Sequence, residues 1–496
     1  TDGSLDLRVI AGGADFYASP RISPDGRLVA WIQWMHPNMP WDATELWVAD
    51  MVPTSSRGGA AEIGTTSHRR VAGNGDEALQ QPEWNPNGEL FVATDRTGWW
   101  NIHQVAIESG ELTHVAGGAY DIVEPHWSFG DSRFVVDERG VVAHVIADPL
   151  TDRLSNPPDL PYTTDLPYTT IHSLRAMGDG VVFLGASFQR ETEVARVIGG
   201  RFEVLRPSRQ LPFSDDFLPT PEFVVYPTTG GANANALYYA PANPEANLLD
   251  GERPPVLVYV HAGPTGAAPR DFTARRAHRF WTSRGIAVVD IDFRGSSRYG
   301  RKYRNLLRGN WCVTDVDDAI AAVDHLVARG DVDGDRALIR GGSAGGTTVL
   351  LALASSDRFA AGANYYGVTD LLALLDDDHK FESRYTFQLI GPHPERADLY
   401  AERSPINRVN ELSSPLIVLQ GAEDPVVPPR HSELIVDAVR AQGQPVAYVS
   451  FEGEGHGFRR AENQIRSMEV ELWFYGQVLG FEPADHIEPV SLSTQV

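Results

Sequence analysis

The chain has 496 residues, of which 42% are hydrophobic and 9% aromatic, so it is too apolar for wholesale disorder and too long for one core. Its formal net charge of −24 argues against nucleic acid and anionic membranes as partners. No apolar run approaches the roughly 20 residues that span a bilayer, and the single cysteine, Cys312, excludes an internal disulfide and a cysteine-based metal site. These features predict a protein of two domains. They also predict a location in a reducing compartment, the cytoplasm, and they leave secretion open as an alternative.

Residues 1–215 have the pattern of an all-β domain built from a repeated unit. In each unit a polar turn, such as Pro24-Asp25-Gly26, leads into an apolar strand. The unit recurs near residues 19–31, 82–93, 125–136 and 173–183. A spacing of about 40–60 residues is typical of β-propeller blades, and about four blades are visible. Because the chain starts at Thr1 without an initiator methionine, we expect further blades upstream and an N-terminally truncated propeller.

Residues 216–496 alternate strands with helices, which predicts a mostly parallel sheet and a second domain. This order resembles the α/β-hydrolase sheet. The predicted strands are 256–260, 285–293, 337–339, 360–366, 416–420 and 447–451, and the predicted helices are 275–283, 315–329, 347–354, 432–441 and 463–479.

A nucleophilic serine is predicted within the segment Arg340-Gly341-Gly342-Ser343-Ala344-Gly345-Gly346. An apolar strand precedes this G-x-S-x-G pattern and a helix follows it, which is the context of a nucleophile elbow. Glycines flank Ser343 because so sharp a turn does not admit side chains beside it. The hydroxyl of Ser343 would then stand at the head of a helix, where backbone N–H groups stabilise a developing oxyanion.

The acid and the base of a catalytic triad are predicted downstream, in the chain order Ser, acid, His. Asp424 follows one buried strand and His456 follows the next. Because the carboxyl ends of parallel strands open toward the same crevice, Ser343, Asp424 and His456 should converge there. His456 would take the proton from Ser343, and Asp424 would orient His456. The oxyanion hole would combine the N–H of Ala344 with a donor from the loop after an earlier strand, His261-Ala262-Gly263.

Five motifs together resemble the prolyl oligopeptidase family of serine peptidases. They are H-A-G-P at residue 261, R-G-S-S-R-Y-G at residue 294, G-G-S-A-G-G at residue 341, G-A-E-D-P-V-V-P at residue 421 and G-E-G-H-G-F at residue 453. The resemblance covers the second domain and agrees with a propeller in the first. Within the family the chain is most similar to the aminopeptidase and acylaminoacyl-peptidase branch, including bacterial aminopeptidases that cleave puromycin.

The chain departs from the family pattern at three points. Relatives of the prolyl oligopeptidase and dipeptidyl-peptidase type place a tyrosine hydroxyl in the oxyanion hole, where this chain has His261, so the amides of Gly263 and Ala344 are expected to carry that role. Those relatives also place Arg or Asn two residues after the acid, where this chain has Val426. The paired glutamates with which dipeptidyl peptidases grip a free amine are not evident.

A carboxylate is nevertheless expected where an aminopeptidase holds the substrate ammonium, since an unpaired buried cation is costly. The segment Phe381-Glu382-Ser383-Arg384-Tyr385 follows the strand after the elbow helix. Glu382 lies between two aromatic residues that could wall a pocket. We therefore expect Glu382 to hold the amine, with Arg384 or Tyr385 touching the substrate backbone.

The sequence thus predicts a serine exopeptidase that hydrolyses short peptides and amino-acid amides, with an aminopeptidase as the first choice. An acylaminoacyl-peptidase, a dipeptidyl-peptidase and a carboxylesterase remain as alternatives, and an inactive propeller scaffold is the rival outside enzymes. No cofactor or metal is implied. The expected partners are short peptides, and homo-oligomerisation is left open.

Overall fold

The computed structural model describes residues 9–54, 62–155, 166–377 and 379–493. Across these ranges no helix is both long enough and apolar enough to cross a membrane. The chain divides into two compact units, one of residues 1–208 with Arg298–Arg301, the other of residues 209–297 with 302–496. The domain limit after residue 215 stays a prediction.

The N-terminal unit consists of successive antiparallel sheets, each formed by strands that are neighbours in sequence. Among the described residues there are four such sheets, of four, four, three and four strands. Their strands are β1 (Phe16–Ile22), β2 (Leu28–Trp34), β3 (Glu45–Thr54) and β4 (Glu62–Ala72); β5 (Leu79–Trp84), β6 (Leu90–Thr94), β7 (Asn101–Val105) and β8 (Leu112–Ala116); β9 (Phe134–Asp137), β10 (Gly140–Ala147) and β11 (Asp152–Ser155); and β12 (Thr170–Met177), β13 (Gly180–Ala186), β14 (Glu193–Ile198) and β15 (Arg201–Arg206).

Local turn chemistry explains why the repeated unit forms hairpins. In the first repeat the Asp25 carboxylate accepts hydrogen bonds from the Ser23 hydroxyl at 2.7 Å and the Arg27 N–H at 3.1 Å, and Gly26 has a φ of 72°. The apolar residues that follow are buried, as in the core shared by the third and fourth sheets, which includes Leu154 and Phe183. Turn residues and alternating apolar residues therefore specify each blade locally.

The C-terminal unit is built on one nine-stranded sheet in the order β16-β17-β19-β18-β20-β21-β22-β23-β24. The six strands from β19 to β23 in this order run parallel to one another, and β16, β17 and β24 extend the sheet at its two edges by antiparallel pairing. The strands are β16 (Glu222–Pro227), β17 (Asn233–Tyr239), β18 (Val256–Val260), β19 (Ala287–Asp292), β20 (Ala337–Gly342), β21 (Ala361–Tyr365), β22 (Leu416–Gly421), β23 (Val446–Phe451) and β24 (Leu492–Ser493).

Helices cover both faces of this sheet, as adjacent residues of β20 show. Arg340 lies between the rings of Tyr259 and Tyr365 and pairs with Glu471 of the last helix at 2.8 Å. Gly341, which points the other way, packs on the backbone of the helix that follows β20. The helices are α1 (Phe272–Thr282), α2 (Gly300–Arg304), α3 (Thr314–Arg329), α4 (Ala344–Ser355), α5 (Leu371–Asp377), α6 (Tyr385–Leu389), α7 (Ala397–Arg403), α8 (Pro429–Ala441) and α9 (Ala461–Leu479).

The predicted parallel strands lie within two residues of the observed ones, except that β20 continues three residues further into the glycines. The predicted helix at 432–441 begins earlier, at Pro429, because proline suits the first turn of a helix although it interrupts an apolar pattern. The three short helices between β21 and β22 were not predicted, since helices of five to seven residues carry too little periodicity to detect.

Candidate active site

Ser343 occupies a strained turn between β20 and α4. Its φ of 54° and ψ of −123° are unusual for a residue with a side chain, and such strain costs on the order of 1–3 kcal/mol. The turn is held by a hydrogen bond from the Ser343 N–H to the carbonyl of Tyr365 at 2.9 Å. Because the carbonyl of Ser343 accepts the first bonds of α4, from Gly346 and Thr347, the Ala344 N–H stands in the first helical turn, where N–H groups lack an intrahelical acceptor.

Glycines allow the head of α4 to pack directly on the loop that follows β18. A β-carbon added to Gly345 would collide with the carbonyl oxygen of Val260 and lie 2.9 Å from that of His261. The start of the loop that includes Gly263 therefore packs on the first turn of α4, the turn that begins with Ala344. Gly263 has a φ of 128°, a conformation that side chains rarely adopt.

Asp424 and His456 lie at the carboxyl ends of β22 and β23 and are joined by a hydrogen bond. The His456 Nδ1–H donates to Asp424 Oδ2 at 2.8 Å. The other carboxylate oxygen of Asp424 accepts from the N–H groups of Val426 at 2.9 Å and Val427 at 3.0 Å. Asp424 is buried whereas the His456 side chain is 23% exposed, so the imidazole is partly open to solvent while one of its edges is anchored.

The side chain of His261 is occupied by other contacts. Its Nδ1 lies 2.9 Å from the carbonyl of Ala262, which can only accept, so Nδ1 carries the proton and Nε2 accepts from the hydroxyl of Ser296 at 2.8 Å. The ring stacks on Phe293 at 4.3 Å, and burial lowers the pKa of His261. The imidazole of His261 therefore has no N–H left for an oxyanion, in contrast to a tyrosine hydroxyl at this position.

The loop that carries His456 is anchored by Glu454, a residue of the G-E-G-H-G-F motif to which the sequence interpretation gave no role. The buried carboxylate accepts hydrogen bonds from the N–H groups of Arg459 at 2.8 Å and Arg460 at 2.9 Å and from the side-chain amide of Asn463 at 2.8 Å. Burial by itself would raise the pKa of Glu454, but these hydrogen bonds lower it overall. Glu454 thus joins the histidine loop to the start of α9.

The candidate substrate-binding segment is tied to the loop after β18 through Tyr385. The buried Tyr385 hydroxyl accepts from the Thr265 N–H at 3.0 Å and bonds the Thr265 side chain at 2.5 Å. Glu382 keeps 24% of its side chain exposed, and burial raises its pKa, with the nearby His456 acting in the opposite direction. Arg384 is exposed, 5.1 Å from the ring of Phe387. The structure therefore places Glu382 within electrostatic range of His456 and gives Tyr385 a contact within the fold.

A parallel sheet with a serine at a strand-to-helix turn and an Asp–His pair at two later strand ends is the arrangement of serine hydrolases with the α/β-hydrolase fold. The family model of the prolyl oligopeptidase family matches residues 272–482. A crystal structure of puromycin hydrolase is 37% identical, with a TM-score of 0.89, over 96% of this chain and 71% of that chain. The structure of a Mycobacterium tuberculosis puromycin-hydrolyzing peptidase is 39% identical, with a TM-score of 0.90, over 98% of this chain and 73% of that one.

The chain belongs to the prolyl oligopeptidase family of serine peptidases. The resemblance inferred from the five motifs is thereby confirmed, as is the fold class, a β-propeller domain followed by an α/β-hydrolase domain. Among curated proteins, dipeptidyl aminopeptidase BIII of Pseudoxanthomonas mexicana is 36% identical over 233 residues, which is 46% of this chain. That match spans 33% of the relative's own length.

Proposed function

We propose that the protein is a serine exopeptidase that hydrolyses short peptides and amino-acid amides through an acyl-enzyme. The observation that carries the proposal is the 2.8 Å hydrogen bond between Asp424 and His456 at two strand ends of the sheet that also carries the strained turn of Ser343. A histidine oriented in this way is a general base for a serine hydroxyl.

In the first half of the reaction, Ser343 Oγ attacks the substrate carbonyl carbon and its proton passes to His456 Nε2. The oxyanion that forms accepts hydrogen bonds from the N–H groups of Ala344 and Gly263. The C–N bond then breaks as His456 returns the proton to the leaving amine. In the second half, His456 activates a water molecule that hydrolyses the Ser343 ester.

Aminopeptidase action is the specific activity we propose. Two similar structures are named for puromycin hydrolysis and one curated relative is named a dipeptidyl aminopeptidase, which supports removal of residues from a free amino end. Acylamino-acid-releasing enzymes are also among the relatives, at 28% identity or less, so release of acylated residues is the alternative.

Glu382 is the proposed anchor for the substrate ammonium. Its side chain is three-quarters buried and interacts electrostatically with His456, and a ring nitrogen of His379 lies 3.9 Å from its carboxylate. An ammonium ion would compensate the buried charge. We propose that the exposed Arg384 contacts a substrate carbonyl, whereas for Tyr385 the bonds to Thr265 support a role in shaping the pocket.

The test is hydrolysis of amino-acid and peptide amides by the wild type, Ser343→Ala and the control Ser450→Ala, together with labelling by a fluorophosphonate. We expect Ser343→Ala to lose hydrolysis and labelling while its far-UV circular dichroism stays unchanged, because a methyl group fits the turn. Ser450 is exposed on β23, and its variant should behave as wild type. Retained turnover in Ser343→Ala would show that another residue is the nucleophile.

A further inference from the structure

Tyr366 has a backbone conformation that its sequence does not explain. It follows β21 directly and has a φ of 40°, in the left-handed region that an aromatic residue rarely adopts. Its N–H donates to the carbonyl of Leu419 on β22 at 2.9 Å, so the backbone is held by the neighbouring strand. Strain of this kind persists only where the surroundings determine it and is concentrated at functional sites.

The ring of Tyr366 contacts the residues around both Ser343 and His456 of the proposed triad. On one side is Gly342, which precedes Ser343; a β-carbon added there would lie 3.1 Å from Cε2 of the ring and 3.3 Å from the hydroxyl oxygen. On the other side is Gly457, which follows His456; a β-carbon added there would lie 3.9 Å from the same hydroxyl. Each of these two glycines adjoins a residue of the proposed triad.

The ring also contacts the imidazole itself. The centroids of Tyr366 and His456 are 4.8 Å apart at an interplanar angle of 59°, and Phe458 packs on Tyr366 at 5.6 Å. The bond from Nδ1 to Asp424 fixes only one edge of the imidazole, which could still rotate about that bond. A ring packed against the imidazole restricts this rotation.

We propose that Tyr366 is a positioning residue that sets the separation and orientation of His456 relative to Ser343. The proposal rests on the proposed function, since it assigns a role toward two residues of the proposed triad. It requires the aromatic ring and not the hydroxyl. A displacement of about 1 Å between reacting groups lowers turnover by about a hundredfold, so loss of the ring should be visible in kcat.

The experiment compares Tyr366→Ala and Tyr366→Phe with the control Tyr448→Ala. Tyr448 is a half-buried tyrosine on β23, so its variant reports the general cost of removing such a ring. We expect kcat of Tyr366→Ala to fall by about ten- to a hundredfold with KM changed less than about threefold, and Tyr366→Phe to stay within about threefold of wild type.

Three results would overturn the proposal: wild-type kcat in Tyr366→Ala, a loss no larger than that of Tyr448→Ala, or a loss in Tyr366→Phe equal to that in Tyr366→Ala. Measuring Ser343→Ala in parallel distinguishes a failure of the positioning role of Tyr366 from a failure of the proposed function. If Ser343→Ala is inactive and Tyr366→Ala is fully active, only the positioning role fails, whereas an active Ser343→Ala overturns the proposed function itself.

Discussion

At the scale of single residues, one carboxylate oxygen of Asp424 holds its own loop and the other holds the proposed catalytic histidine. Oδ1 accepts from two backbone N–H groups of its own loop, and Oδ2 accepts from His456. The contact of Val426 with Asp424 is made by its backbone N–H and does not depend on the side chain at this position.

Asp424→Asn should therefore keep the loop but lose the orientation of His456. We expect kcat to fall by about 10⁴-fold, as when a triad carboxylate is replaced by its amide and the imidazole is left in the wrong tautomer. Steady-state kinetics on a chromogenic aminoacyl amide provide the measurement. The control is Asp437→Asn on the exposed side of α8, which should retain wild-type turnover. A loss below tenfold in Asp424→Asn would contradict its role.

Glu382→Gln should weaken binding only of substrates with a free amine. Gln removes the charge but keeps the size, so we expect KM for a free-amine tripeptide to rise by about ten- to a hundredfold, the range of a lost hydrogen bond to a charged group. The N-acetylated tripeptide, which has no ammonium, should change by less than about twofold. Equal losses on both substrates would assign Glu382 a structural role.

Protonation of Glu382 should have the same effect as the substitution. Because burial raises the pKa of Glu382, its carboxylate is neutralised at a higher pH than an exposed glutamate. As pH falls through this raised pKa, KM for the free-amine tripeptide should rise in the wild type. In Glu382→Gln that dependence should be absent, and a KM that keeps the same pH dependence in the variant would assign the titration to another group.

At the scale of elements, Glu454 connects the loop after β23 to the first turn of α9. Removing it in Glu454→Ala leaves two backbone N–H groups and the Asn463 amide without their acceptor. Arg459 and Arg460 are exposed, so water can replace part of the lost acceptor, and we expect the free energy of unfolding at pH 7 to fall by about 1 kcal/mol, the net contribution of a typical hydrogen bond. Denaturant titration provides the measurement, and Glu452→Ala, which changes an exposed glutamate of the same loop, is the control.

The pH dependence of this effect follows from the sign of the pKa shift. The pKa of Glu454 is lower in the folded protein, so its ionised form stabilises the fold above the unfolded-state pKa. That contribution is lost as pH falls through the lowered folded-state pKa. The difference in unfolding free energy between wild type and Glu454→Ala should therefore shrink in acid. A difference that stays constant down to the acid range would contradict the role of the carboxylate charge.

At the scale of the whole molecule, the net charge of −24 should bias the rate of substrate capture. Long-range repulsion slows the approach of anionic peptides and attraction speeds that of cationic ones. We expect kcat/KM for a lysine-containing tetrapeptide to exceed that of its glutamate counterpart at low salt. The difference in kcat/KM between the two peptides should decrease toward 1 M salt, where the screening length falls to about 3 Å. A ratio independent of salt would place the preference in contacts within the site.

Local sequence patterns predicted much of the fold and of the candidate site. β18 and β22 are runs of mainly apolar, buried residues, which is a local pattern, so β18 was predicted with its observed limits and β22 within one residue. The order of Ser343, Asp424 and His456 at successive strand ends follows from the same pattern, since parallel strands place their carboxyl ends on one edge.

Only the tertiary structure decided the contacts between segments that are distant in sequence. The engagement of the His261 ring by Ser296, the anchoring of Tyr385 to Thr265 and the insertion of Tyr366 between Gly342 and His456 have no local signature. A strand pattern specifies which residues are buried, but the partner that a side chain meets depends on which strands become neighbours and on how closely the glycines let them approach. The sequence by itself therefore determined the elements and the candidate nucleophile, acid and base, and packing determined which side chains surround them.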